Sequence, residues 1–333
     1  PGRHSPTFLF LYNGIAVGHV GTIPFALWNG RTEVPAHWVK GLMVLPEHQN
    51  GAVGFLLLQE AVRQLGCAVA IVGAAPARRL FQALGFQDYG AIPNYLRVLN
   101  PENVLRRLDP SSVGGGRFKV ILSRALQIAQ RPPLAKVVGL ASKGIFRLWA
   151  APSNARTRGL QVTTSDQASV PPDDRLWESV RGSIAAAPAR SGNYLRWRYD
   201  TGPGGTYRVV SVRNDAQLIG SAVVRRPSAR GDRRLKGIRV ATLSDILYPP
   251  ASPNAGLAAL AGAEATAREL DADALLCSAT HRSLTALLRR RAFIPVPANL
   301  RLLGRISHAN GEIPDDLRDW WITRGDGSAD EVF

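Results

Sequence analysis

The segment Val44-Leu-Pro-Glu-His-Gln49-Asn50-Gly51-Ala52-Val53-Gly54 is the part of this sequence best suited to chemistry. Small residues let a backbone approach a ligand closely, and the peptide N–H groups that open a following helix point at whatever lies beyond them. That arrangement suits a pyrophosphate. It lacks the Lys-Ser/Thr pair of a P-loop and the Gly-x-Gly-x-x-Gly of a dinucleotide site, so nucleotide hydrolysis and dinucleotide binding lose support. Groups that could move protons lie elsewhere. Asp245, in Thr242-Leu-Ser-Asp-Ile, is a carboxylate within an apolar strand and needs either a partner or a function, such as binding an amine or acting as base. His37 opens a central strand and titrates near neutrality, against the plainer reading of a hydrogen-bonded surface histidine. Tyr95 could serve as an acid, although a strand tyrosine is usually a packing residue with its hydroxyl at the edge. Glu47 is expected to face solvent.

The elements that must position these residues are read from periodicity. Asn13-Gly14 and Asn29-Gly30 separate apolar runs over residues 7 to 45, which predicts an antiparallel meander of three strands. Val53, Leu56, Leu57, Ala61 and Leu65 then recur at helical spacing up to Gly66. A strand over 69–72, a helix over 76–84 ending at Gly85 and a strand over 95–99 follow. The stretch 109–131, with Gly114-Gly-Gly116 and Pro132-Pro133 after it, reads as a linker. Residues 133–150 read as an apolar helix with Lys136, Lys143 and Arg147 along one line at spacings of seven and four. Such a helix is able to lie in a membrane interface, and a packing helix bridging two domains is the plainer reading.

The second half repeats the order of the first. A helix around 173–187, strands at 207–212, 218–224 and 239–247, a helix at 257–270, a strand at 274–278, a helix at 282–290 and a strand near 300–303 are predicted. Arg63-Gln-Leu65 matches Arg268-Glu-Leu270, Gly85-Phe86 matches Ala292-Phe293, and Pro93-Asn-Tyr-Leu-Arg97 matches Pro297-Ala-Asn-Leu-Arg301, all at an offset close to 205. A fixed offset of this kind argues for a duplicated domain.

Composition limits the partners. The 333 residues carry 41 Lys plus Arg against 25 Asp plus Glu, a net charge of +16, and nearly all the positive charge is Arg, which suits bidentate contact with phosphates and carboxylates. Genome composition also raises Arg, so the charge alone favours an anionic partner only modestly. Cys67 and Cys277 each lie in apolar runs, which points to buried thiols rather than a disulfide or metal site, and to a reducing, cytoplasmic setting. No apolar stretch reaches the roughly 20 residues of a membrane-spanning helix. Pro1 is not an initiator Met and no charged-then-apolar leader follows it, which reads as a processed or late start.

The loop Gln49-Asn-Gly-Ala52-Val-Gly54, the strand before it and Leu80-Phe-Gln-Ala-Leu-Gly-Phe86 after it together resemble the GNAT acyl-CoA N-acyltransferases. The resemblance implies an α/β (α+β) fold of two tandem GNAT-like domains, each a mixed, mostly antiparallel sheet flanked by helices. The expected units are residues 1–108, a linker with a helix over 109–171, a degenerate second copy over 172–310 and a tail over 311–333. It further implies that Gln49, Asn50, Gly51, Ala52, Val53 and Gly54 hold the pyrophosphate of acetyl-CoA or another acyl-CoA, with Arg78 and Phe81 nearby. Met43 and Val44, at a β-bulge that splays two strands, would hold the thioester end. The corresponding turn of the second copy, Tyr248-Pro-Pro-Ala-Ser-Pro-Asn-Ala-Gly256, has three prolines without N–H donors, so one cofactor in the first copy is expected.

Family members carry a carboxylate on the strand before the loop and a tyrosine acid in the second helix; His37-Trp-Val-Lys-Gly41 has no carboxylate, and Phe81 stands at the second place. Asp245, His37 and Tyr95 are therefore the candidate replacements. The acceptor implied is a small-molecule or glycan amine. The C-terminal Trp320-Trp-Ile-Thr-Arg-Gly-Asp resembles tails of bacterial members associated with surface-polysaccharide synthesis, and Tyr194-Leu-Arg-Trp-Arg-Tyr199 mixes aromatics with arginine as a sugar site would, or anchors an element edge through Trp197. The Arg-Gly-Asp triplets are assigned no adhesion role. A FemABX-like transferase using aminoacyl-tRNA and a non-catalytic binding module are the alternatives. The intact loop speaks against tRNA, and DNA is not expected.

Overall fold

The computed structural model describes residues 5–49, 51–109, 134–157, 159–165, 174–199, 207–227, 235, 237–306 and 313–332. The predicted meander is present as β1 (Thr7–Tyr12), β2 (Ile15–Trp28) and β3 (Glu33–Val44). The first hairpin turns on Asn13 and Gly14 at φ 50° and 79°, the pair of left-handed conformations that matches the twist of the flanking strands. Helix α1 (Val53–Leu65) buries Leu57, Leu58, Ala61 and Val62 on one face of this sheet, and β4 (Ala68–Val72), α2 (Ala75–Ala83), β5 (Gln87–Ala91) and β6 (Asn94–Val98) follow.

After α3 (Pro101–Arg107) the expected linker at 110–133 lies outside the described residues. Helix α4 (Leu134–Ala155) then packs against α3, and also against the helices α7 (Pro253–Glu269) and α8 (Arg282–Arg290) of the second half. The predicted bridging role is what this face of α4 does. Between them come β7 (Gln161–Ser165), α5 (Arg175–Arg181), β8 (Ala187–Pro188), α6 (Gly192–Tyr199), β9 (Tyr207–Asn214), β10 (Gln217–Arg225), β11 (Val240–Leu247) and β12 (Ala274–Ser278). The helix expected over 173–187 stops at Gly182, because the chain turns there to lay Ala187 and Pro188 beside Trp28 and Leu27. β13 (Ile294–Val296) and β14 (Arg301–Arg305) close the order.

The two sheets trade strands. One runs β1-β2-β3-β4-β14-β5 with β8 beside β2, and the other runs β13-β6-β12-β11-β10-β9-β7. Thus β6, from the first repeat, lies between β12 and β13 of the second, while β14 lies between β4 and β5 of the first. A boundary at residue 108 divides the sequence repeats but not the sheets. The matched motif 93–97 covers most of the exchanged strand β6, and the matched motif 297–301 leads into the exchanged strand β14 at Arg301.

The C-terminal segment seals the halves together. Trp320 packs in the core on the face of the first sheet away from α1, and the adjacent Trp321 packs in the core of the second half. The tail also accounts for the Arg-aromatic segment. Arg198 of α6 pairs with Asp330, Tyr207 donates to the same carboxylate at 2.9 Å, and Trp197 is 41% exposed, so this segment anchors the tail. In the second Arg-Gly-Asp triplet both Arg324 and Asp326 are buried.

Candidate active site

Strands β3 and β4 run parallel but pair only at His37 with Ala68 and Trp38 with Val69. Beyond that point β3 continues to Val44 along β2, and β4 continues to Val72 along β14, so the two part and leave a wedge between them. An extra residue widens the gap. The register steps from His19–Met43 to Gly21–Lys40, and Gly41 sits at φ +65°, a left-handed conformation that a side chain would strain. The bulge, at Gly41 and Leu42, adjoins the Met43–Val44 pair near which it was expected.

The loop after β3 is drawn back onto the strand. Gln49 donates from Nε2 to the Val44 carbonyl at 2.9 Å, and the turn Pro46–His48 is closed by His48 N–H donating to Leu45 at 2.9 Å. Gly51, Ala52, Val53 and Gly54 lead into α1, whose N-cap is Ala52. Its N-cap Ala52 supplies no side-chain cap, and the first turn of α1 holds no acidic residue. The opening N–H groups of a helix have no intrahelical acceptor and are able to bind an anion. A Cβ at Gly54 would meet Val44 at 3.5 Å and Leu80 at 3.8 Å, ordinary contacts. Asn50 lies outside the described residues.

The remaining predicted residues are scattered. Met43 is 63% exposed at the bulge, and Arg78 is half-buried on α2, the helix whose Leu80 abuts Gly54. Phe81 is buried edge-on to Phe86 beneath the sheet, so it packs the core rather than lining the loop. His37 shares the α1 face with Val39, since its neighbour Trp38 packs on the opposite face; it does not open β3, which starts at Glu33, but lies within the strand where β3 pairs with Ala68 of β4. Tyr95 is corrected outright. Strand exchange carries it into the second sheet opposite Cys277, where burial raises its hydroxyl above the usual phenol range.

Asp245 has the partner that its apolar strand demanded. Arg190 donates to it from Nε at 3.0 Å, Thr323 Oγ1 donates at 3.2 Å, and its own neighbour Ile246 donates a backbone N–H at 2.8 Å. The same guanidinium reaches Asp326 at 2.8 Å, and burial pushes the Asp326 carboxyl up to about 6 while Arg190 draws it back and Asp245 adds to the rise. Asp245 is a structural ion-pair member, 4% exposed.

The residue missed by sequence reasoning is His19. It pairs across the bulge with Met43 on the face away from α1, and its Nδ1 lies 3.0 Å from the Gly41 carbonyl oxygen. In the tautomer with Nδ1 protonated that nitrogen donates, which leaves Nε2 as a proton acceptor. The signal was weak, because only the bulge 22 residues later brings Gly41 to this ring.

In the second half the equivalent wedge is filled. β11 and β12 pair from Val240–Ala274 to Leu243–Cys277, and Ser244 is the extra residue of a matching bulge. The tail enters there, with Thr323 bridged to Ala279, Gly325 N–H donating to the Ser244 carbonyl at 2.6 Å and Trp321 Nε1 donating to Ile246 at 2.9 Å. A Cβ on Gly325 would collide with the Tyr199 hydroxyl, so glycine is needed at this insertion. Beside the start of α7, a Cβ on Gly256 would lie 2.6 Å from Leu287 and 2.8 Å from Tyr248, far tighter than the ordinary contacts it would make at Gly54.

A parallel strand pair that parts at a bulge, followed by a tight turn into a helix, matches known proteins. Residues 2–86 match the acetyltransferase (GNAT) family. The fold is that of the GNAT acyltransferases. A GCN5-related N-acetyltransferase from Anabaena variabilis is 12% identical over 90% of this chain and 62% of its own, with TM-score 0.55. N-myristoyltransferase of Saccharomyces cerevisiae with bound myristoyl-CoA is 12% identical over 88% of this chain and 67% of its own, also at 0.55. A probable N-acyltransferase from Enterococcus faecalis is 10% identical over 95% of this chain and 63% of its own, at 0.52. This chain thus spans about two thirds or less of the length of these GNAT-fold proteins. No curated protein matches its sequence.

Proposed function

We propose that this protein is an acyl-CoA-dependent N-acyltransferase whose first half binds the acyl donor and whose acceptor is an amine. One contrast carries the reading: β3 and β4 pair only at His37 and Trp38 and then part on the way to the start of α1, whereas at the matching place between β11 and β12 the chain's own tail is bonded in, Gly325 N–H donating to Ser244. In this reading the first turn of α1 takes the pyrophosphate, and the backbone of Gly41 to Val44 pairs with the pantetheine arm. An acetyl group is the first donor to test and myristoyl the second, because an acyl-CoA bound to a similar fold is myristoyl-CoA. Amino sugars and glycan amines are the first acceptors to screen.

Transfer is a single displacement. The neutral amine attacks the thioester carbonyl, the C–N bond forms, the C–S bond breaks, and the thiolate leaves to be protonated. Strand N–H groups at the wedge offset the charge on the carbonyl oxygen. His19 takes the proton lost by the amine, replacing the absent strand carboxylate.

Calorimetric titration with acetyl-CoA, myristoyl-CoA and CoA tests the reading, alongside Gly54→Glu and His19→Gln. Gly54 tolerates a Cβ, so the glutamate variant keeps its fold while setting a carboxylate against the helix start; its affinity should fall by at least about tenfold. His19→Gln should bind the donor normally and lose roughly 10²-fold in kcat. Absence of binding by wild type overturns the assignment, and binding without turnover on any amine makes the protein a binding module.

A further inference from the structure

Helix α4 has two unlike faces. The inner face is held so tightly against α3 that a Cβ at Gly139 would lie 2.8 Å from the Glu102 Cβ. On the outer face Val137, Leu140, Ile145, Leu148 and Trp149 are 61%, 62%, 60%, 76% and 51% exposed. Their successive spacings of three, five, three and one keep them within about half the circumference of a helix with 3.6 residues per turn, a broad stripe on one side. Over its 22 residues the helix is roughly 33 Å long, and no described helix is long and apolar enough to cross a membrane.

The sequence of α4 contains no aspartate or glutamate, and its charges are Lys136, Lys143 and Arg147, which fall on one line along the helix. The chain as a whole carries +16. Charge chooses among the occupants of such a stripe. A second copy would bring two sets of cations together with no carboxylate on either helix, whereas an anionic lipid surface supplies phosphates beside the apolar layer that receives the stripe. An exposed tryptophan suits the same boundary, with one end apolar and the other wet.

We propose that α4 docks this protein on anionic membrane surfaces, lying in the plane of the interface with Val137, Leu140, Ile145, Leu148 and Trp149 inserted. The inner face keeps the helix fixed to both halves, so docking orients the whole molecule rather than a tethered segment. This surface is separate from the wedge between β3 and β4, and the inference stands whatever is bound there.

Flotation of the 333-residue chain with phosphatidylcholine vesicles, with and without roughly a third phosphatidylserine, tests the proposal. The protein should float with the anionic vesicles at least about tenfold more strongly than with neutral ones, and less as salt rises. Ile145→Glu with Leu148→Glu changes only exposed side chains, so its thermal melt should match wild type while its binding falls by about tenfold or more. Trp149 fluorescence, taken as the difference from Trp149→Phe, should shift to the blue on anionic vesicles alone. The proposal is overturned if wild type ignores anionic vesicles, or if the double variant floats as well as wild type. A wild-type dimer that the double variant dissociates overturns it too, because the stripe is then a self-interface.

Discussion

Arg97 and Arg301 hold the same place in a repeated motif, and each forms its ion pair with a residue of the other repeat: Arg97 Nε lies 3.3 Å from Glu264 of α7, and Arg301 Nε lies 2.9 Å from Asp88 of β5. The exchange makes each sheet depend on a strand from the other repeat. Residues 1–108 and 174–333 expressed separately should each give no cooperative thermal transition, while the whole chain melts in one step. Circular dichroism melts read this directly. A sharp transition from either piece alone means that a sheet closes without its borrowed strand.

Arg190 is fully buried between Asp245 and Asp326. Arg190→Met leaves two buried carboxylates without their cation and should cost about 3–5 kcal/mol in urea unfolding. Arg190→Lys keeps the charge but loses the fork that reaches both carboxylates, so an intermediate loss is expected. A loss below about 1 kcal/mol for the methionine variant would show that water enters to solvate the pair.

His281 starts α8 as its cap, with Nδ1 2.8 Å from Ser283 Oγ and its ring tilted at 35° against that of Trp321. Burial lowers its imidazole to about 4, with a smaller upward pull from Asp319. The unfolded chain takes up a proton as pH falls through the ordinary value near 6.5 and the folded chain does not until about 4. Its contribution is therefore complete above about pH 6.5 and is lost as pH falls from there to 4, up to roughly 3 kcal/mol. His281→Asn keeps a capping acceptor without the titration. Urea midpoints at pH 7 and pH 4.5 should fall more for wild type than for this variant, and equal falls would count against the histidine.

Local chemistry was legible in the sequence and distant pairing was not. Helix α1 over 53–65, helix α8 over 282–290 and strand β12 over 274–278 fall where apolar spacing and the flanking Gly66 or Gly-like turn put them. The loop at 49–54 was legible for the same reason, since its turn and helix start are adjacent in sequence. Strand exchange left no mark, because Asn94–Val98 and Arg301–Arg305 have the same alternation whichever sheet receives them. Asp245 looked available because its partner Arg190 is 55 residues away, and His19 looked ordinary because Gly41 acquires its left-handed turn only in the folded strand.

Exchange also fixes the order in which the chain can mature during synthesis. When Asn94–Val98 leaves the ribosome its neighbour Ala274–Ser278 does not exist, and β4 and β5 keep bare facing edges until Arg301–Arg305 emerges. The amino-terminal sheet is started first and completed nearly last. A nascent chain with such edges recruits other strands readily, so this protein should be a demanding client of the cell's chaperones and a poor candidate for rapid, unassisted refolding from denaturant.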